Sequence, residues 1–124
     1  MKIQWNDNEK VAVTCVLLEM MNIDGVLHPR EGKFMNEYVR IIGVNPILLE
    51  QAKTMSALES MIVLQNIDQK KKNGLRTLML TMMAVDRDVD QSELDTFKSV
   101  MSMLGMSPEV EIDDLLKMKQ AMNL

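Results

Sequence analysis

Residues 20–31 read MMNIDGVLHPRE, and residues 82–93 read MMAVDRDVDQSE. The two stretches lie 62 positions apart, half the length of the 124-residue chain, and align without a gap. Around them Asp24 returns as Asp86, Glu31 as Glu93, Gly43 as Gly105 and Pro46 as Pro108. The apolar positions follow the same offset. Val13, Val16, Leu17, Met20 and Met21 fall on Leu75, Leu78, Met79, Met82 and Met83. Each copy, about 8–46 and 70–108, reads as a helix, an acidic turn and a second helix. Two copies predict one body with an internal pseudo-two-fold rather than a solenoid, which needs more repeats to cover its ends.

At this length the chain forms one domain, 1–124, able to remove roughly two thirds of its unfolded surface from water. Apolar residues make up 47% of the chain, too many for disorder. Aromatics are 3% while methionine supplies 14 residues, so flexible unbranched side chains must fill the interior. That filler suits helix-on-helix packing and not a sandwich of β-branched strands. A net charge of −4 leaves no basic footprint for nucleic acid. The lone Cys15 excludes an intrachain disulfide and fits a reducing compartment. The apolar run 11–21 follows Asp7 and Glu9, is broken by Glu19 and is too short to span a bilayer. A cytoplasmic protein, not integral to a membrane, is the expectation.

The spacing of Val13, Val16, Leu17, Met20 and Met21 predicts a helix from Asn6 or Asp7 to about Asn22, with one core-facing stripe. Asp24-Gly25 stops it, and His28-Pro29-Arg30-Glu31 opens a second helix that ends at Gly43. Asn45-Pro46 opens a short third helix through about Lys53, and Ser56-x-x-Glu59 is a capping box for a fourth ending near Asn66. Asp68 caps a fifth through Val85, and Asp90-Gln91-Ser92-Glu93 opens a sixth ending at Gly105. Ser107-Pro108-Glu109 is expected to open a seventh, amphipathic through Val110, Ile112, Leu115, Leu116, Met118 and Met122. No stretch alternates with period two. The fold class is all-α, a compact bundle of about seven helices.

The words MMNIDGVLHPRE with IIGV (41–44), and MMAVDRDVDQSE with MLGMSPE (103–109), resemble the TerB-like family of tellurite-resistance and related bacterial helical domains. The likeness covers nearly the whole chain beyond its first seven residues. Its motif is degenerate in detail but fairly specific when present twice at this spacing. The resemblance implies a seven-helix bundle, a cytoplasmic bacterial setting, a stress-response role without established catalysis, and acidic turn residues as divalent-metal ligands. The family's acidic pair falls on Asp24 and Glu31, and again on Asp86 and Glu93. One departure is plain: Asp24-Gly25 becomes Asp86-Arg87, so the second turn must close without glycine.

Read from the residues alone, Asp86, Asp88, Asp90 and Glu93 place four carboxylates within eight positions, a donor set for Ca²⁺, Mg²⁺ or Mn²⁺. It is not an EF-hand, because the glycine position holds Gln91 and the bidentate position holds Phe97. Asp24 and Glu31 alone make a poorer site. Against the metal reading, Asp90 and Glu93 suit a helix N-cap and its capping-box partner, and first-turn acids gain roughly 0.3–1 kcal/mol each from the helix dipole. The Met pairs carry a core phase, Lys70-Lys71-Lys72 reads as a solvated face, and one Cys and one His cannot make a zinc site. The alternative function is an adaptor whose turns only cap helices and which acts through a protein partner or a second copy of itself. No nucleophile motif, phosphate loop or His-Glu-x-x-His is present, so an enzyme is the least favoured class.

Overall fold

The computed structural model describes residues 4–22, 29–84 and 91–110. Those residues form six helices: α1 (Asp7–Asn22), α2 (Pro29–Ile42), α3 (Pro46–Thr54), α4 (Ala57–Gln65), α5 (Gln69–Ala84) and α6 (Gln91–Met103). No strand occurs among the described residues. The starts of α1, α3, α4 and α5 follow from local chemistry. Asn6 Oδ1 accepts the Glu9 amide at 2.8 Å while Glu9 Oε1 accepts the Asn6 amide at 3.0 Å, a reciprocal box at the head of α1. Asn45 caps α3 through the Leu48 amide, Ser56 and Glu59 form the box on α4, and Asp68 accepts the Lys71 amide at 2.8 Å.

Glycine ends both α2 and α6. Gly43 and Gly105 sit at φ 82° and 72°, where a Cβ would be strained. The Val44 amide then reaches back to Val39 C=O at 2.9 Å, and the Met106 amide to Met101 C=O at 2.8 Å. These six-to-one closures are Schellman bonds, and they stand 62 positions apart. Lys10 and Lys72, also 62 apart, donate to the carbonyls of Gly43 (3.3 Å) and Leu104 (3.5 Å) at the same two helix ends. Cationic groups belong at such termini, where carbonyls outnumber donors.

The core gathers around α1, which packs against α3, α4, α5 and α6. Sequence periodicity predicts a single apolar stripe on this helix. Instead Val11, Ala12 and Cys15 are buried along with Val13, Val16, Leu17, Met20 and Met21. The run from Val11 to Leu18 has no charged residue to turn toward water, so α3 and α4 cover the side that the stripe leaves out. Methionines supply much of the filling: Met20, Met21, Met35, Met61, Met79, Met82, Met83 and Met101 are all buried. The terminal helix expected from Ser107 does not begin there. Ser107 Oγ accepts the Glu109 amide two residues on, and residues 107–110 are not helical. The remainder of that expected helix lies outside the described residues.

One buried polar contact ties α2 to α1. Thr14 Oγ1 donates to Lys10 C=O at 2.6 Å, so its remaining partner, Tyr38 Oη at 2.9 Å, is the donor to it. Burial pushes the Tyr38 phenol up to about 12 from its ordinary value of 10.0. Between those two values only the unfolded chain ionises this group, so folding stability falls as pH rises from 10 toward 12. Burial raises the Cys15 thiol as well and adds to the same alkaline loss. Tyr38→Phe is expected to cost about 1 kcal/mol at neutral pH. It should also flatten the alkaline fall in urea midpoint without abolishing it; an unchanged slope would contradict the assignment.

A second cross-link joins α5 to α1. Lys71 Nζ lies 2.7 Å from Glu9 Oε1, with the two side chains 22% and 11% exposed. Screening is weaker here than for the open Arg40–Glu37 and Lys53–Glu50 pairs. A double-mutant cycle with Lys71→Ala and Glu9→Gln should return a coupling of about 1 kcal/mol or more. Arg40→Ala and Glu37→Gln should return about 0.5 kcal/mol or less. Equal couplings in the two cycles would remove the distinction.

Candidate functional site

Of the carboxylates expected at 86–93, Glu93 lies within the described structure. It is the third residue of α6, placed there by the helix that Gln91 opens, and it is 1% exposed. Phe97, one turn on, is fully buried, so this face of α6 points into the core and carries Glu93 with it. Asp24, Asp86, Asp88 and Asp90 lie outside the described residues, as does the side chain of Glu31, whose backbone belongs to α2. Among the described residues no group of three or more His, Cys, Asp or Glu side chains could hold a metal. Glu93 is thus the one candidate ligand whose burial is defined.

Its burial sets it apart from the exposed cap partner of α4. Glu59 holds the equivalent third position of the α4 capping box and is exposed, with Oε1 accepting the Ser56 amide at 3.4 Å. Glu9 does the same work on α1 and is buried as well, with Lys71 Nζ 2.7 Å from its Oε1. Capping alone does not require burial, and burying a carboxylate is costly unless charge or hydrogen bonds compensate. Glu93→Ala is expected to cost about 2 kcal/mol or more, and Glu59→Ala under about 1 kcal/mol, by denaturant titration. Similar costs would reduce Glu93 to a cap.

The other residues singled out from sequence settle into the fold. Met20, Met82 and Met83 are fully buried and Met21 is 7% exposed, so the Met pairs are core. The Cys15 thiol is buried and donates toward Met55 C=O at 3.4 Å. Burial, and then the charge of Glu19, push it up, away from thiolate reactivity. Burial also raises the Glu19 carboxyl. The lysine run is not a uniform solvated face: Lys70 is exposed, but Lys71 pairs with Glu9 and Lys72 reaches Leu104 C=O. His28 lies outside the described residues.

Two open clefts flank α1. One, of about 380 Å³, lies between its first turn and the end of α4, lined by Asn6, Glu9, Ile62 and Asn66. The other, of about 370 Å³, lies against α3 with Cys15, Glu19, Lys53 and Met55. In the second, Cys15 Sγ donates toward Glu19 Oε1 at 4.0 Å, a thiol whose pKa burial and the Glu19 charge push up. Large apolar side chains stand out nearby, with Leu58 70% exposed and Ile62 54% exposed on one face of α4.

Neither a protein-family model nor a curated protein matches this chain. Among solved structures it is similar to PG1108 of Porphyromonas gingivalis W83, a protein of unknown function. The match has 18% identity and a TM-score of 0.75, and covers 97% of this chain and 93% of that one. At this identity the likeness shows a shared helical fold and nothing about activity. Among the described residues no helix is long and apolar enough to cross a membrane.

Proposed function

We propose that this chain is a TerB-like, non-catalytic domain built from a duplicated helix–turn–helix unit. In this reading its 86–93 turn binds a hard divalent cation as part of a cytoplasmic stress response. The observation that carries the metal reading is the burial of Glu93, which Asp86, Asp88 and Asp90 precede within seven positions of the sequence. Hard divalent cations take several oxygen ligands, and four carboxylates within eight positions supply that chemistry. The duplication draws support from contact between sequence-equivalent positions. Glu9 and Lys71 stand 62 apart and touch each other, as partners on a two-fold axis do. The matching Schellman bonds and the Lys10 and Lys72 contacts keep the same offset.

Thermal melting of metal-free protein tests the reading. A cation at a hundred times its dissociation constant should add about 2.7 kcal/mol, and Asp86→Asn/Asp88→Asn should abolish the gain. Absence of any shift in millimolar Ca²⁺, Mg²⁺ and Mn²⁺ would falsify metal binding at this turn.

The adaptor reading rests on a different observation, the exposed Leu58 and Ile62 on α4. Apolar side chains in a row mark contact surfaces when they join into a patch of several hundred Å². Here Leu58→Glu/Ile62→Glu should leave the melting temperature nearly unchanged while lowering the solution mass or removing a partner. A wild-type monomer across the micromolar range, with the same retention as the double variant, speaks against self-association.

A further inference from the structure

We draw no further inference here: the strongest candidate, the apolar outer face of α4 formed by Leu58 and Ile62 beside the cleft at the start of α1, carries nothing beyond the adaptor reading because nothing in the structure shows what covers it.

Discussion

The middle of helix α1, from Val11 to Leu17, has nowhere to put a wet side, and the rest of the bundle is arranged around that fact. From Val11 to Leu18 it offers Thr14 and Cys15 as its only polar side chains, and both find partners inside the protein. Burying a Val, Leu or Met side chain gains about 1.5–3 kcal/mol, so each uncovered face of this helix would forfeit several such terms. Helices α3 and α4 cover one flank, α5 and α6 pack elsewhere along it, and α2 is tied on through Tyr38. Charge collects at its first turn, where Glu9 is held by Lys71 and Lys10 reaches Gly43 C=O.

Its counterpart α5 shows how little change is needed to alter that role. At the offset of 62, Val13, Leu17 and Met20 become Leu75, Met79 and Met82, all fully buried. Val11 and Cys15, however, become Asn73 and Thr77, which are exposed. The Thr77 and Thr81 hydroxyls return to carbonyls one turn back, satisfying themselves along a water-facing side. The second copy also locks differently. Where Thr14 meets Tyr38 in the first, the second has Arg76, whose guanidinium stands 5.7 Å from the Phe97 ring centre and donates to Glu109 C=O. The two sequence repeats thus carry unlike sets of cross-links.

Helix boundaries were the legible part of the sequence because caps and stops are short-range. Asn45, Ser56 with Glu59, Asp68, Gly43 and Gly105 each act within a turn of their own position. Burial was less legible. A stripe at 13, 16, 17, 20 and 21 marks one face, but covering Val11, Ala12 and Cys15 depends on helices distant in sequence. The Glu9–Lys71 pair left a usable signal, opposite charges at equivalent positions of the two copies, which the apolar pattern overshadowed. The start expected at Ser107 failed for a related reason: a Ser-Pro-Glu word favours a helix without compelling one. Of the acidic site only Glu93 is defined, and its depth is a tertiary property that its capping position does not foretell.

The thioether-rich interior has a chemical corollary. Sulfur in a methionine side chain accepts oxygen readily, and the resulting sulfoxide is polar, chiral and unfit for an apolar space. With Met20, Met79, Met82, Met83 and Met101 wholly enclosed, peroxide reaches them only when the bundle opens. Resistance to oxidative damage is therefore not a property of the side chains but a reflection of how seldom the helices part.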